Sequence, residues 1–600
     1  MASSLIGVAR LPLATALLWG ATTLPASAQS VDRKACPAWS PSMTFDCYHD
    51  YAEQTKMLQD MAAAYPGLTV LESAGKSYQK RDIWVLKITD KSTGAPEDKP
   101  GIWVEGGVDS DEVTSVEATL ATAHKLLTAK DPETLELLRT RTFYIVPNVI
   151  PDTGELWHHS ALRPDDSTQR PFDEDGDGLK DEDAPEDLNG DGQITQMRWI
   201  DATGPMALDE RDPRLLRPRK AGDKGPFYRT AFEGVDNDKD GKYNEDWLGG
   251  IDPNRNYPFF WNAKEQKGAG YFAGSESEIH ALLNYNVEHP NIGTAVHFHT
   301  SGGVILYPFG VPEVQMPASD MSLYKDLARQ GLEVTGYNLG TTVIDWRWPN
   351  GTDDRKPDQV WRNAKGKIQV GTPRTDVSMP SYIPGSYPAY GGSMDTTYPM
   401  FGILAYAVEL YEMAPDLNDD GQVNDVDRLL QNDRKLGGAA FARWSKYQHP
   451  TLGEVEIGGW TKTGWNNPLP PALAAETKKG VDFAYVLAKS TPLLSVGEVK
   501  VTPFDGVYRV SAKVANLGQQ PTELAIRKGQ KGELPVTAWI ELPQGATLVT
   551  SKGRQPLGPL DGHAEKSIEW VVKAPAGAEI VVGAQHPRAG KTRKAVRLEP

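Results

Sequence analysis

The sequence contains very little cysteine, since Cys36 and Cys47 are the only two in 600 residues. Two cysteines that pair in a disulfide leave no thiolate to bind a metal, so we expect no thiolate metal site. Both cysteines lie near the N-terminus, in a part of the chain that we expect to be exported. Exported proteins meet oxidising conditions, in which disulfides form. We therefore predict a disulfide that closes a short loop between the two cysteines.

Long apolar runs are also missing after the N-terminus. Residues 1–28 carry Arg10, an apolar segment from Leu11 to Leu24, and the small residues Ala26-Ser27-Ala28. This is the pattern of a secretory signal that is cleaved after about Ala28, so we expect a secreted or periplasmic product. No later segment approaches the roughly 18 consecutive apolar residues that a membrane span needs, and no span is expected.

Basic residues are in the minority, with 63 against 80 acidic residues and a net charge of -17. Such a chain repels phosphate backbones, which argues against nucleic-acid binding. Much of the acidic excess lies in residues 173–191, 236–246 and 416–427. These clusters therefore need an explanation of their own.

Apolar runs and helical patterns alternate in the first part of the chain, as in strands at Ile83–Ile88 and Ile102–Val104 and a helix at Val113–Leu127. This alternation predicts an α/β fold with a mixed central sheet flanked by helices. We assign residues 29–480 to this domain, with an acidic insertion near residues 165–250. After residue 490, short alternating segments predict a small all-β sandwich over residues 490–600 that serves a structural or docking role.

The acidic clusters repeat one spacing, in which oxygen-bearing side chains at loop positions one, three and five precede a glycine. Such loops can wrap Ca²⁺, although a solvated acidic loop has the same composition. The fourth copy is the most complete because it adds an acid at position twelve. The candidate calcium ligands are Asp173, Asp175, Asp177, Asp187, Asn189, Asp191, Asp236, Asp238, Asp240, Asp416, Asn418, Asp420, Gln422 and Asp427.

The most informative stretch begins with a glycine turn after the predicted strand Ile102–Val104 and contains Asp109 and Glu112. Two carboxylates at the carboxyl end of a strand can converge on one cation. The alternative is an acidic helix N-terminus favoured by the helix dipole. His299 and Glu409 end two other apolar runs, but each could also have a hydrogen-bonded structural role.

Five motifs follow one another along the chain: Asp109 to Glu112, Asp252 to Pro258, His299 to Gly303, Tyr387 to Asp395, and Glu409-Leu410. In this order they resemble the zinc carboxypeptidase family over about residues 45–415. The resemblance implies one catalytic zinc ion held by Glu112 and by histidines, one of them His299. Such a catalytic site keeps one coordination position open for water.

The resemblance also implies roles for five other residues. Glu409 matches the general base, while Asn254 and Arg255 match the pair that grips the terminal carboxylate of the substrate. Tyr387 matches a mobile tyrosine over the substrate, and Arg198 lies where the family has an arginine that stabilises the tetrahedral oxyanion. A guanidinium fork suits carboxylate recognition, but a surface ion pair is the alternative reading for each arginine.

The departure from the family pattern is at Asp109, where the family has a histidine in His-x-x-Glu. Aspartate can bind zinc, but Asp109, Glu112 and His299 together would neutralise the ion. His297 lies on the same strand face as His299 and could substitute as a ligand, or it could be a supporting histidine. Met394 lies where the family often sets side-chain specificity, which hints at apolar or uncharged substrates.

Three functions remain open from the sequence. The first is a metallocarboxypeptidase that removes C-terminal residues from peptides with zinc-activated water. The second is a catalytically impaired pseudopeptidase that binds peptide C-termini, because Asp109 replaces a ligand histidine. The third is an amidase that acts on cell-wall peptides with the same residues.

Overall fold

The computed structural model describes residues 33–347, 359–363, 365–371, 388–412, 414–418, 424–470, 472–550 and 552–599. The predicted signal, residues 1–28, lies outside these ranges. Among the described helices, none has the length and apolar character required to cross a membrane. The predicted disulfide between Cys36 and Cys47 is formed.

Helices cover the faces of the main sheet or connect strands, and the helix Asp425–Lys435 packs against Phe441 of a second sheet. In chain order, those of the described ranges are α1 (Tyr51–Ala64), α2 (Val113–Thr128), α3 (Pro132–Thr140), α4 (Pro151–His159), α5 (Ser277–Glu288), α6 (Ala318–Thr335), α7 (Val343–Arg347), α8 (Ser393–Thr396), α9 (Asp425–Lys435), α10 (Lys462–Asn466) and α11 (Leu473–Ser490).

The strands of the first part of the chain are β1 (Thr69–Lys76), β2 (Asp82–Ile88), β3 (Gly101–Glu105), β4 (Thr142–Val146), β5 (Gln196–Ile200), β6 (Met206–Leu208), β7 (Leu216–Pro218), β8 (Phe227–Phe232), β9 (Ile292–Thr300), β10 (Val304–Tyr307), β11 (Leu339–Thr342), β12 (Gln359–Arg362), β13 (Ile368–Gly371) and β14 (Leu404–Leu410). The later strands are β15 (Phe441–His449), β16 (Gly453–Trp460), β17 (Leu494–Phe504), β18 (Val507–Asn516), β19 (Val536–Glu541), β20 (Thr547–Leu548), β21 (Arg554–Gly558), β22 (Glu565–Lys573), β23 (Glu579–His586) and β24 (Gly590–Arg597).

The described part of the main sheet has the strand order β1-β2-β4-β3-β9-β14-β10-β11-β12-β13. Its central strands β4, β3, β9 and β14 are parallel to one another, whereas β10 runs antiparallel to β14. All residues of β3, β9 and β14 are buried, because α2 and α11 cover one face of the sheet and further apolar residues cover the other. Continuous apolar runs are typical of parallel strands that are buried on both faces. The predicted α/β fold with a mixed sheet is confirmed.

A second sheet has the order β15-β16-β5-β8-β6-β7. Four of these strands, β5 to β8, come from the segment that we predicted as an acidic insertion, and β15 and β16 come from residues after the main sheet. The insertion is therefore partly folded as a sheet. Its strands are short and largely half-buried, so the regular alternation that identifies a strand in a sequence is weak there.

The C-terminal part forms two four-stranded sheets, β17-β18-β22-β20 and β21-β19-β23-β24, among the described residues. One apolar core draws on both sheets, with Val510 and Trp570 on one side and Ala538 and Val582 on the other. This arrangement confirms the predicted all-β element. The exact boundary between the two parts stays a prediction.

Candidate metal centre and substrate cavity

Asp109, Glu112 and His299 converge at the carboxyl ends of β3 and β9. His299 Nδ1 lies 2.9 Å from Asp109 Oδ2 and 3.0 Å from Glu112 Oε2. His299 is only 4% exposed. One donor atom from each of the three residues lies within 4.8 Å of the others, so the three side chains can surround a single cation.

The turn between β3 and α2 brings the two carboxylates to this place. A Cβ atom on Gly106 would lie 2.4 Å from the carbonyl oxygen of Ser115, so the close approach requires glycine. Gly107 has a φ of +66°, a conformation that side chains with a Cβ rarely adopt. Ser115 Oγ accepts a hydrogen bond from Gly107 N, and Glu112 is the N-cap residue of α2. The glycine turn is thus the feature that points both carboxylates toward His299.

The three side chains perturb one another strongly. Burial lowers the pKa of His299, but the nearby Glu112 and Asp109 outweigh burial and raise it well above the ordinary value. Burial, followed by the charge of Glu409, raises the pKa of Glu112 well above its usual range. Burial also raises the pKa of Asp109, but His299 outweighs this effect and holds it below the usual value. If Asp109, Glu112 and Glu409 were all ionised, they would carry more negative charge than one imidazole can balance, and this repulsion adds to burial in raising the pKa of Glu112.

The donor set fits zinc. Zinc accepts histidine nitrogen and carboxylate oxygen at about 2.0–2.2 Å, which places tetrahedral ligand atoms roughly 3.3 Å apart. The separations of 2.9 and 3.0 Å between His299 and the two carboxylates are close to that spacing. A divalent cation here would also balance the excess negative charge of Asp109 and Glu112.

Glu409 lies beside these three residues, on the strand next to that of His299. In the parallel pair of β9 and β14, Glu409 is the register partner of His299. It is 9% exposed and lines the same cavity of about 190 Å³. Its charge raises the pKa of Glu112. Glu409 is thus close to the ligand residues without belonging to the three that converge.

Asn254 and Arg255 line the cavity from a short 3-10 turn, Pro253–Arg255. Asn254 Oδ1 accepts a hydrogen bond from Ser393 N at 3.0 Å, which ties this turn to the opposite wall. Arg255 Nη1 donates to the carbonyl oxygen of Asn254, and Arg255 Nε lies 3.7 Å from Asp252 Oδ2. The turn therefore holds an amide and a guanidinium at the cavity.

Two acidic residues of the cavity were missed in the sequence, Asp166 and Asp395. Burial raises the pKa of Asp395 to about 7, and its Oδ2 atom accepts a hydrogen bond from Gly310 N. Burial and the charge of Asp111 raise the pKa of Asp166 well above its usual range. Asp395 directly follows Met394 in a glycine-rich motif, which was a usable signal. Asp166 lies in a long acidic stretch, where composition cannot distinguish a buried acid from solvated ones.

The structure does not place Arg198 in the cavity, where its predicted role would require it. Arg198 lies on β5 in the second sheet, where its Nε atom is 2.8 Å from Glu456 Oε2. Its guanidinium also stacks over the ring of Trp444, with 4.2 Å between the guanidinium carbon and the ring centroid. Of the two arginines singled out in the sequence, Arg255 lines the cavity and Arg198 does not. Arg198 instead stabilises the second sheet.

His297 is paired with Glu105 and is not among the three side chains that converge on one point. Its Nδ1 atom is hydrogen-bonded to Glu105 Oε1, and Glu105 also accepts a hydrogen bond from Trp103 Nε1. Glu105 is the register partner of His297 in the pair of β3 and β9. His297 is not one of the three residues that converge around His299 Nδ1.

Tyr387, Asp420 and Gln422 lie outside the described residues. Asp416 and Asn418 are described, and Asp427 of the same loop accepts hydrogen bonds from Leu417 N and Asn424 N, the latter as part of a capping box of α9.

The first three acidic loops share one backbone arrangement. In each, the aspartate at position one accepts hydrogen bonds from the backbone N–H groups at positions four and six. Position ten carries Glu182 in the first loop and Glu245 in the third. Carboxylate oxygens of Asp175, Asp177 and Glu182 lie within 4.8 Å of one another, as do those of Asp175, Asp240 and Glu245. Neither glutamate lies at position twelve, where an EF-hand loop has its acid, so the EF-hand spacing does not identify them.

The fold is that of an α/β protein, and two carboxylates and a histidine that could hold a metal ion converge at the carboxyl edge of its sheet. A family model described as zinc carboxypeptidase matches residues 54–199 and 209–417, more than half of the chain. The chain belongs to the zinc carboxypeptidase family. A second model, described as a domain of unknown function, matches residues 493–597.

Relatives of known name are distant. The chain is similar to mouse carboxypeptidase A4, with 22% identity over 341 residues that cover 52% of this chain and 62% of the relative. It is also similar to zinc carboxypeptidase A 1 of Drosophila melanogaster, with 32% identity over 126 residues, 21% of this chain and 29% of the relative. The chain thus spans less than two thirds of the length of these curated relatives.

Among solved structures, the fold is similar to that of carboxypeptidase A from Helicoverpa armigera, with 16% identity and a TM-score of 0.38. That match covers 65% of this chain and 72% of the other. At this TM-score the likeness adds nothing to the description of the fold above.

Proposed function

We propose that this protein is a zinc-dependent metallocarboxypeptidase that hydrolyses the C-terminal peptide bond of peptide substrates. The observation that carries the proposal is the convergence of Asp109, Glu112 and His299 at one wall of a cavity that Glu409 and Arg255 also line. A metal-ligand set, a carboxylate base and a carboxylate-binding arginine in one cavity are what such a reaction requires.

Asp109, Glu112 and His299 would hold the zinc ion. When bound, zinc supplies Lewis acidity, which polarises a carbonyl group and lowers the pKa of water. Glu409 is a buried carboxylate next to His299, and it would accept the proton of the attacking water and pass it to the leaving amine. The resemblance to the zinc carboxypeptidase family also supports the role of Glu409 as the general base.

Arg255 and Asn254 would fix the substrate by its terminal carboxylate. The guanidinium forms charge-assisted hydrogen bonds with a carboxylate, and the amide adds a further donor. The hydrogen bond from Ser393 N to Asn254 Oδ1 joins the two walls of the cavity. The carboxylate-binding pair and the side-chain pocket around Met394 therefore move together. Met394 adds an apolar side chain to that wall, which favours apolar or uncharged terminal side chains. Tyr387 is proposed as the tyrosine over the substrate on family resemblance alone.

A pseudopeptidase that binds peptide C-termini is the second candidate. The observation that favours it is Asp109, because two carboxylates and one imidazole leave a bound zinc ion with no net positive charge. A neutral site acidifies water less than a positive one, so turnover could be lost while binding is retained.

Two measurements on the purified protein test these candidates. Elemental analysis gives the zinc content, and an N-blocked dipeptide with a free or an amidated C-terminus reports hydrolysis and its dependence on the carboxylate. We expect one zinc ion per chain and release of the terminal residue from the free peptide only. Protein without bound zinc and without hydrolysis would contradict the first proposal, whereas binding of the free peptide without hydrolysis would support the second.

We also propose structural Ca²⁺ in the acidic loops. The repeated backbone arrangement presents oxygens in the first three loops, and Glu182 and Glu245 add a carboxylate to two of them. Burial raises the pKa of each glutamate to about 7, which is the behaviour of carboxylates crowded together without a cation.

Export to the periplasm or the exterior is proposed from the signal-like pattern of residues 1–28. The disulfide between Cys36 and Cys47 supports it, because disulfides persist in oxidising compartments.

A further inference from the structure

The C-terminal sandwich contacts the segment that follows the cavity wall. That wall is the short helix α8, which includes Ser393, Met394 and Asp395. A π-helical turn, Thr397–Phe401, follows it directly and leads into β14, which ends near Glu409. We propose that the sandwich positions this wall through Arg527 and Arg588, so that it is a working part of the substrate cavity. This inference rests on the proposed function for its catalytic consequence.

Two arginines of the sandwich hold three successive carbonyl groups of the turn. Arg527 Nη1 donates to the carbonyl oxygens of Pro399 and Met400, at 3.0 and 2.9 Å. Arg588 Nη2 donates to the carbonyl oxygen of Phe401. These carbonyls end a helical turn, where intrahelical partners are missing and cationic donors are favourable.

Glu533 fixes both arginines in place. Its Oε1 atom lies 2.8 Å from Arg527 Nε, and its Oε2 atom lies 3.0 Å from Arg588 Nη1. The Glu533 side chain is 9% exposed. Burial raises its pKa, but Arg588 and Arg527 outweigh burial and hold the pKa below the usual value. A charge network of this kind is more rigid than an exposed surface pair.

The close approach of the arginines depends on the end of the turn. Gly402 has a φ of +67°, and a Cβ atom there would lie 2.8 Å from Arg527 Cγ and 3.2 Å from Arg588 Cζ. Glycine therefore lets both side chains reach the turn.

A second contact holds the same turn from the other side. Asp320, at the start of α6 and 2% exposed, accepts hydrogen bonds from Ala525 N and Ile526 N of the sandwich. Its Oδ2 atom also accepts a hydrogen bond from the hydroxyl of Tyr398 in the turn. Leu524, next to these residues, is buried in the apolar core of the first domain. The loop that carries Arg527 is thus anchored in the first domain.

Different contacts hold the cavity wall α8 and the proposed base Glu409. β14, with Glu409, lies between β9 and β10 and is hydrogen-bonded on both sides. The wall is held by Asn254 through Ser393 N and by Gly310 N through Asp395. Loss of the arginine contacts should therefore loosen the wall and leave Glu409 in place, so substrate binding suffers more than the chemical step.

The test is the double variant Arg527→Ala/Arg588→Ala, with Arg509→Ala as the matched control. Arg509 is an exposed arginine of the same sandwich, on β18, paired with Glu569. We expect kcat/KM for an N-blocked dipeptide to fall about 10- to 100-fold, mainly through KM, since a misplacement of about 1 Å can cost about 100-fold. Amide hydrogen exchange should become faster in residues 393–402 and stay unchanged in β9 and β14.

The outcomes separate this inference from the proposed function. Unchanged exchange in residues 393–402, or faster exchange with an unchanged KM, would overturn the positioning role. If the wild type does not hydrolyse the peptide, the proposed function fails, and the dissociation constant of the same peptide then decides the positioning role in place of KM. If the double variant does not fold, Glu533→Gln is the second test, because it keeps the shape of the side chain and removes the charge between the two arginines. We expect it to raise KM and to speed hydrogen exchange in residues 393–402, each by less than the double variant would.

Discussion

Replacing Glu409 by glutamine tests the chemistry of the cavity most directly. The change keeps the size of the side chain and removes its charge and its ability to accept a proton. Glu409 is the register partner of His299 on the adjacent strand, and adjacent strands lie about 4.8 Å apart. A water molecule near His299 is therefore within hydrogen-bond reach of Glu409.

The expected loss follows from this position. General base catalysis contributes about 100- to 10,000-fold to a rate, which corresponds to roughly 3–5 kcal/mol of transition-state stabilisation. We expect this loss in kcat. Zinc content should stay near one per chain, because Glu409 is not among the three converging ligand residues. The melting temperature should not fall, because Glu409 adds to the rise in the pKa of Glu112 and its neutralisation relieves that repulsion.

The assay is steady-state hydrolysis of an N-blocked dipeptide with a measured zinc content for each preparation. Glu288→Gln, an exposed glutamate on α5, serves as the control for the same chemical change. A kcat within about threefold of the wild type, with zinc bound, would refute the assignment of Glu409 as the base. A loss of zinc in the variant would instead mean that Glu409 is a ligand.

Three further predictions concern the metal centre, the acidic loops and the sandwich. Asp109→His should keep zinc and shift the acidic limb of the pH-rate profile to lower pH, because the site becomes more positive. An unchanged acidic limb in a variant that still binds zinc would contradict the ligand position of residue 109. A calcium-selective chelator should lower the melting temperature, with recovery in excess Ca²⁺, and an unchanged value would count against the loops as calcium sites. Burial lowers the pKa of His586 to about 4. The folded state therefore binds a proton at His586 less tightly than the unfolded state does. The free energy of unfolding should fall by up to about 3 kcal/mol as the pH drops from about 6.5 toward 4. His586→Phe should flatten that pH dependence in thermal melts, whereas the same change at the exposed His563 should leave it intact.

Much of the fold could be read from the sequence, because the central strands are continuous apolar runs. The segments at Ile102–Val104 and Ile403–Leu410 were recognisable as buried strands for this reason. The second sheet was not predicted, since β6 and β7 have three residues each and only a weak apolar pattern. Its partners β15 and β16 come from a distant part of the chain, and such pairing leaves no local signal.

The sequence by itself determined the identity of the chemical groups: the Asp109 to Glu112 turn, His299, the Asn254-Arg255 pair and Glu409, each in a short motif. Local motifs of this kind depend on neighbouring residues, so they are visible without a fold. Only the tertiary structure decided which groups share the cavity.

The tertiary structure placed Arg198 in the second sheet, paired with Glu456, and brought Asp166 and Asp395 into the cavity. It also brought Arg527 and Arg588 to the turn behind the cavity wall, across more than 120 residues of chain. The physical reason is that burial and charge pairing depend on contacts between distant segments, and these contacts exist only once the sheet and the sandwich are packed together.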